Sequence, residues 1–435
     1  MIDLRNGDCI EVMKGMEDNS VDLILTDPPY HLTSITKRFS KKGSAPASTK
    51  NNDGSFSRLS KGFMGKEWDG LDENGVGIAF NVEVWKEALR VLKPGGYLMA
   101  FSGARTYHRM AVAIEDAGFE IKDMIEWIYA SGFPKALDIS KQLQKKGQDD
   151  LAKQYEGYKT QLKPAHEPIC LAMKPLSEKT FAENVMRWGT GGLNIDSTRI
   201  GTGIHTTGRS EKTSRAYQSE EKTTAGVYEV NQTTEGRYPA NFIISEDIAP
   251  ILDKQSGILK SGGGDFRKKN GTSMFFKGED KRELKIYQAN QGGASRFFYN
   301  AKIEEEDYMP FYYTAKASKK ERNSDIEGNQ ITGELKGGIG EDMNNSLTRP
   351  DGSIRKEVLN VNNHPTVKPK SILTYLLKLG LPPIDNAVVL DLFAGSGSLG
   401  LAIAEVNKET GRNHKAILIE KDTEHCEIIK KRCCL

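Results

Sequence analysis

From residue 1 to about 198, short apolar runs of strand length alternate with stretches whose apolar residues recur every three or four positions. The runs are VDLILT from Val21, YLMAF from Tyr97, EWIYA from Glu126 and EPICLAM from Glu167. Unbroken apolar runs predict strands covered on both faces, and their alternation with helical periodicity predicts an α/β fold. The sheet should be mixed, mostly parallel and covered by helices on both faces. NVEVWKEALRVLKPGG is the clearest helix: Val82, Trp85, Leu89 and Leu92 recur at helical spacing, and Lys93-Pro94-Gly95-Gly96 ends it before the next strand.

The alternation breaks twice. Residues 40–66, SKKGSAPASTKNNDGSFSRLSKGFMGK, offer too little apolar surface to offset the entropy of ordering, which predicts a mobile loop. From about 199 to 362, polar stretches such as HTTGRSEKTSRAYQSEEKTTAG surround short apolar pieces, YPANFII and SRFFYNAK. Order then returns. HPTVKPKSILTYLLKLG predicts a turn and a helix, AVVLDLF a buried strand, AGSGSLGLAIAEV a glycine turn feeding a helix, and KAILIEKD a strand tipped with acids. The expected organisation is therefore 1–198, a loop-rich insertion over 199–362, and 363–435.

Charge narrows the function only locally. Sixty-one Lys and Arg against 59 Asp and Glu leave a formal charge of +2, so any site for a polyanion must be a patch. Within the insertion, Arg267, Lys268 and Lys269 follow SGGGDF, and Phe275, Phe276, Phe297, Phe298 and Tyr299 recur. Basic and aromatic groups together suit a nucleic-acid backbone, although a solubilising insertion with a small core has much the same composition. Cys9, Cys170, Cys426, Cys433 and Cys434 form no CxxC pair, and the seven histidines show no ligand spacing with them. Reduced thiols and no structural metal are expected. No segment approaches the roughly 18 uninterrupted apolar residues of a membrane span, and MIDLRNGDCI does not read as a secretory leader; a soluble, cytoplasmic chain with no membrane partner is expected.

Two motifs carry chemistry. AVVLDLFAGSGSLG sets Gly395, Gly397 and Gly400 in GxGxxG spacing between a strand and a helix, and Glu420 ends the next strand. Glycines there allow close approach of a ligand to the backbone, and the distal acid can accept from ribose hydroxyls, which points to a nucleoside-type ligand. A nicotinamide fold needs several strand–helix units after the fingerprint, yet only 35 residues follow Gly400. The missing strands must come from upstream, so the motif order is circularly permuted. LILTDPPY, an apolar strand ending at Asp27-Pro28-Pro29-Tyr30, would then open on the same crevice as the glycine turn.

NGDCIEVMKGMEDNSVDLILTDPPY, VLKPGGYLMAF, HPTVKP and DLFAGSGS, in this order, resemble the beta class of site-specific DNA amino-methyltransferases. KGFMGKEWDG, FSGARTYHRMAVAIEDAGFE, SGFPKALDISK, RYPANFII and AKASKKERN further resemble a phage and prophage branch of them. The resemblance implies a Rossmann-like S-adenosylmethionine-dependent methyltransferase fold, with 199–362 as the target-recognition region. It implies S-adenosyl-L-methionine as cofactor and double-stranded DNA as partner; it leaves open a homodimer and a separately encoded cognate restriction enzyme. Methyl transfer to an exocyclic amine needs that nitrogen's lone pair localised. The Asp27 carboxylate and the Pro28 carbonyl can accept the amine hydrogens, the prolines pre-set this pair, and Tyr30 would stack on a flipped base.

On the same resemblance, the cofactor would meet Asp8 and Cys9 at its adenine end and Glu420 at the ribose. Asp391, Phe393, Gly395, Ser396 and Gly397 would surround its methionine part, with His364, Thr366 and Lys368 from the flanking motif. Taken alone, Asp8 and Cys9 read as a helix N-cap and a buried thiol. Arg105 and Lys135 are implied phosphate contacts. None of the five cysteines follows a proline, which excludes carbon-5 cytosine chemistry by a Pro-Cys nucleophile. An aspartate opening the tetrapeptide resembles the adenine-N6 enzymes. Cytosine-N4 transfer is the alternative, and a catalytically silent DNA-binding protein of the same fold a further one.

Overall fold

The computed structural model describes residues 1–30, 47–50, 56–58, 77–130, 136–208, 231–261, 264–265, 286–287, 290–302 and 367–435. Nine strands form the main sheet: Ile2–Asn6 (β1), Val21–Thr26 (β2), Leu92–Phe101 (β3), Glu120–Ile128 (β4), His166–Met173 (β5), Phe242–Ser245 (β6), Tyr299–Ala301 (β7), Val388–Asp391 (β8) and Lys415–Glu420 (β9). Their order is β1-β9-β8-β2-β3-β5-β4-β6-β7. Only β5 runs against its neighbours; all other pairings in this sheet are parallel.

The VDLILT run becomes β2, with all six residues buried. Its one acid is satisfied: Asp22 accepts from Lys93 Nζ at 2.6 Å and from the Val388 N–H at 2.7 Å, tying β2 to both flanking strands. The late strands β8 and β9 lie between β1 and β2, so strands from the two ends of the chain interleave. This is the permuted α/β order expected from the motif sequence.

The described helices are Cys9–Lys14 (α1), Val82–Val91 (α2), Tyr107–Asp116 (α3), Ile139–Gln144 (α4), Asp149–Gln154 (α5), Phe181–Trp188 (α6), Ala249–Ser256 (α7), Lys370–Gly380 (α8), Ser398–Thr410 (α9) and Thr423–Arg432 (α10). Alternate strand residues serve two cores, as the pleat requires. Leu23, Leu25, Met99 and Phe101 pack with residues of α8 and α9, while Ile24, Leu98 and Ala100 pack with α1, α2 and α3. In α2 the buried face is Val84, Trp85, Ala88 and Val91, with Val82 and Leu89 at its margin; Leu92 already begins β3. The buried stripe thus shares Trp85 with the one expected but runs through Val84, Ala88 and Val91 in place of Val82, Leu89 and Leu92.

Two differences from the sequence expectation concern the insertion and the loop. Phe242–Ser245 and Tyr299–Ala301 lie within 199–362, yet they extend the main sheet as β6 and β7. Trp127 Nε1 donates to Ser245 Oγ at 2.9 Å, and the Tyr299 ring stacks on Tyr375 at 4.0 Å. A boundary at 199 therefore cuts the sheet: strands of four and three residues, although they fall in the apolar pieces YPANFII and SRFFYNAK, are too short for their pattern to show which sheet they join. Within 40–66, Ala47–Lys50 pairs antiparallel with Phe56–Arg58, and the rest lies outside the described residues. No helix among the described residues is long and apolar enough to cross a membrane.

Candidate active site

The parallel strands β1, β9, β8, β2 and β3 end on one side of the sheet, and β5, being reversed, begins there. Strand order turns back between β8 and β2: chain from β8 proceeds to β9 on one side, and chain from β2 to β3 on the other. A crevice at such a switch point is where open α/β sheets bind ligands. Asp391 ends β8, and Asp27 follows β2 directly, so the glycine turn and the DPPY segment meet there.

Asp27 is held from one side. Lys368 Nζ donates to its Oδ2 at 2.6 Å and to the Tyr30 hydroxyl at 2.9 Å, and lies 3.4 Å from Glu167 Oε2. The Tyr30 hydroxyl in turn donates to Glu167 Oε2 at 2.8 Å. Lys368 and Glu167 are both buried, and Lys368 Nζ sits 5.0 Å from the ring centres of Tyr30 and Phe101. Burial alone would pull the Lys368 ammonium down, but the Asp27 and Glu167 carboxylates overcome it and hold it above its ordinary value. Burial, and then the same two carboxylates, keep the Tyr30 phenol well above its usual range. The second oxygen, Asp27 Oδ1, is buried and has no hydrogen-bond partner among the described residues. Gly103 makes room for the tyrosine: a Cβ there would stand 3.1 Å from the Tyr30 ring.

The glycine turn is shaped by backbone and by a buried arginine. Gly395 and Gly397 adopt φ of 57° and 81°, and Gly397 caps α9. Arg432, almost fully buried in α10, donates to the Ser396 carbonyl at 2.7 Å and to Ser396 Oγ at 2.8 Å. Ser396 thus turns both its carbonyl and its hydroxyl oxygen toward Arg432. A Cβ at Gly397 would lie 3.1 Å from Ile429, facing the core instead of the crevice. Gly397→Ala is therefore expected to cost about 1–3 kcal/mol of stability through left-handed strain and overpacking. A lowered melting temperature in the absence of any ligand would verify this.

Glu420 Oε2 accepts from the Gly395 N–H at 2.7 Å, and Oε1 from the Asp422 N–H at 2.8 Å. Each carboxylate oxygen has a second lone pair, so the group can still accept from hydroxyls. Asp391 accepts from Thr26 Oγ1 at 2.7 Å and from the Phe393 N–H at 3.1 Å. Burial pushes its carboxyl up to about 7 despite those two donors, and nearby Asp27 and Glu420 add to the rise. Asp8 caps α1, accepting from the Ile10 N–H at 3.0 Å, with Lys421 Nζ 3.3 Å away. Cys9 is a buried thiol pushed up to about 12, mainly by burial, and packs in the core. Both side chains therefore match the structural alternative noted from sequence, and the ends of β1 and β9 are joined beside them by Gly7 N–H donating to Glu420 O at 3.0 Å.

The crevice thus gathers Asp27, Tyr30, Lys368, Asp391, Phe393, Gly395 and Glu420. Arg105 is exposed in the turn after β3, two residues beyond Gly103. Lys135, Arg267, Lys268, Lys269, His364 and Thr366 lie outside the described residues. Sequence reasoning missed Glu167, Thr26 and Arg432. Glu167 had a signal, an acid directly ahead of an apolar strand, but its value depended on β5 running backwards. Arg432 had none.

The chain matches the DNA methylase family over residues 21–431. It is 29% identical over 207 residues to the type II methyltransferase M.HindIII of Haemophilus influenzae, a match covering 45% of this chain and 66% of that protein. It is 28% identical over 135 residues to the type II methyltransferase M.HpaI of Haemophilus parainfluenzae, covering 30% and 33% respectively. Among solved structures, the PvuII DNA methyltransferase (cytosine-N4-specific) aligns over 99% of this chain and 86% of its own, at 11% identity and a TM-score of 0.43. With the family match spanning nearly the whole chain, from β2 through α10, and with the DPPY segment and glycine turn meeting in one crevice, the chain belongs to the N6/N4 DNA methylase family.

Proposed function

We propose that this chain is a site-specific DNA methyltransferase that transfers a methyl group from S-adenosyl-L-methionine to the N6 amine of an adenine flipped out of duplex DNA. The observation that carries the reading is the split character of Asp27. One oxygen is tied to Lys368, and the other is buried with no partner among the described residues. Leaving a buried acceptor unpaired costs about 1–3 kcal/mol, so such a group is poised for a donor that arrives from outside. An exocyclic amine supplies that donor.

The residues suit the cofactor as well. Glycine backbone at Gly395 and Gly397, the Asp391 and Glu420 carboxylates and the Phe393 ring would hold it, with the backbone near Asp8 and Cys9 at the adenine end. His364 and Thr366 are proposed there from sequence alone. S-adenosylmethionine, when bound, supplies the methyl group: an N–C bond forms to the base amine, the C–S bond breaks, and its electron pair stays on sulfur. Asp27 Oδ1 and the Pro28 carbonyl accept the two amine hydrogens and localise the nitrogen lone pair; the carboxylate then receives the proton that the nitrogen gives up. Pro28 and Pro29 fix the backbone beforehand, which removes an ordering cost at the moment of transfer. Tyr30, fixed by Glu167 and Lys368, offers its ring to the base. Adenine rests on the aspartate that opens the tetrapeptide. Target recognition is proposed for 199–362, and phosphate contact for Arg105, Lys135 and Arg267–Lys269.

Purified chain, duplex DNA of mixed sequence and methyl-labelled S-adenosylmethionine test this together. Label in N6-methyladenine is the expected result; label in N4-methylcytosine would replace the base assignment, and none at all would overturn the reading. Single-molecule sequencing of DNA from an expressing host then yields the recognition site.

A further inference from the structure

Glu167 is absent from the motifs discussed so far, yet it sits at the centre of the buried cluster. It is the second residue of the reversed strand β5, and so stands just beyond the end of β3, where Phe101 pairs with Ile169. Three groups converge on Lys368: Asp27 Oδ2 at 2.6 Å, the Tyr30 hydroxyl at 2.9 Å and Glu167 Oε2 at 3.4 Å. The first two are hydrogen bonds and the third is an ion-pair contact, so the ammonium is held between both carboxylates and the phenol. Two carboxylates share this one ammonium, so the charges of Asp27, Glu167 and Lys368 sum to minus one beside the Tyr30 and Phe101 rings, where electrostatic effects are larger than in water. With Asp27 and Lys368 alone, the ammonium would neutralise the acceptor that the amine needs.

We propose that Glu167 is a positioning residue for methyl transfer: it takes a share of the Lys368 ammonium and anchors the Tyr30 hydroxyl, so that Asp27 keeps its negative charge toward an amine that becomes cationic as it reacts. This rests on the function proposed above and deepens it. Glu167 does not touch the base; it acts through Lys368 and Tyr30. Its carboxylate oxygen serves both neighbours, which explains why an acid is buried at the head of an apolar strand.

Glu167→Gln keeps the shape and one acceptor oxygen while removing the charge. Under single-turnover conditions its rate is expected to fall at least tenfold, with KM for DNA and for S-adenosylmethionine within twofold of wild type and an unchanged melting temperature. Glu167→Asp should recover part of the rate. A Glu167→Gln rate within twofold of wild type would overturn the proposal, as would a loss shared equally by both KM values and the melting temperature. A second measurement needs no turnover: acylation of lysines at pH 9, read residue by residue by mass spectrometry. Lys368 should label at least tenfold faster in Glu167→Gln than in wild type, and equal labelling would refute the coupling. If the wild-type chain methylates nothing, the proposed function fails by itself, and the labelling ratio still decides whether Glu167 holds Lys368.

Discussion

Asp27→Ala is expected to lower methyl transfer at least about a thousandfold while leaving affinity for S-adenosylmethionine within a few-fold of wild type. Removal of one preorganised group from a charge-stabilising site typically costs 10²–10³ in rate, and here the same group also receives the proton. The fold should survive the change. Lys368 keeps the Tyr30 hydroxyl at 2.9 Å and Glu167 Oε2 at 3.4 Å, so its charge is still paired. The glycine turn is held from elsewhere, by Glu420 on the Gly395 N–H and by Arg432 on Ser396. Calorimetric titration with the cofactor and label incorporation into DNA separate the two effects. Undiminished turnover would sink the mechanism, and loss of cofactor binding in step with turnover would mean that Asp27 shapes the pocket.

Lys368→Met should have the largest effect on stability, about 3 kcal/mol at pH 7. Taking one partner from a buried ion pair costs about 3–5 kcal/mol, because the opposing charge is left without compensation. The lower end applies because the Asp27 side chain is 21% exposed and can be partly hydrated, whereas Glu167 at 7% cannot. Methionine has similar length, so the loss reports charge and not a cavity. Chemical denaturation of both proteins at pH 7 measures it directly. In the wild type, the raised Lys368 value means the ion-pair contribution is fully present below the unfolded lysine pKa and is lost as pH rises through the folded value. The stability difference between the two proteins should therefore shrink only at strongly alkaline pH. A difference under about 1 kcal/mol would show that the cluster contributes little to holding the crevice together.

Much of the frame was legible along the chain. VDLILT, YLMAF and EPICLAM fall wholly within strands and EWIYA overlaps the end of one, and the glycine turn and its helix fell where spacing put them, since local backbone needs and burial on both faces leave marks within a few residues. The permuted order was legible too, because too little chain follows Gly400 to complete a sheet. The crevice itself was half legible. Asp27, Asp391 and Glu420 sit at strand ends and Gly395 in the turn that follows one, which a sequence shows, whereas β6 and β7, within the apolar pieces YPANFII and SRFFYNAK, are too short for the sequence to assign them to the main sheet.

Identity of the reacting groups thus resides in short motifs, each written in adjacent residues. Their electrostatic setting does not. Glu167 matters because β5 runs antiparallel and sets its N-terminal end beside the end of β3, a direction that no residue pattern encodes. Lys368 is separated from Asp27 by 341 positions and reaches it only through packing of α8 against the sheet. Arg432 reaches Ser396 because α10 folds back over the glycine turn. Side-chain chemistry is a local property of the chain, while the charge a carboxylate keeps depends on which groups burial brings within a few ångströms of it.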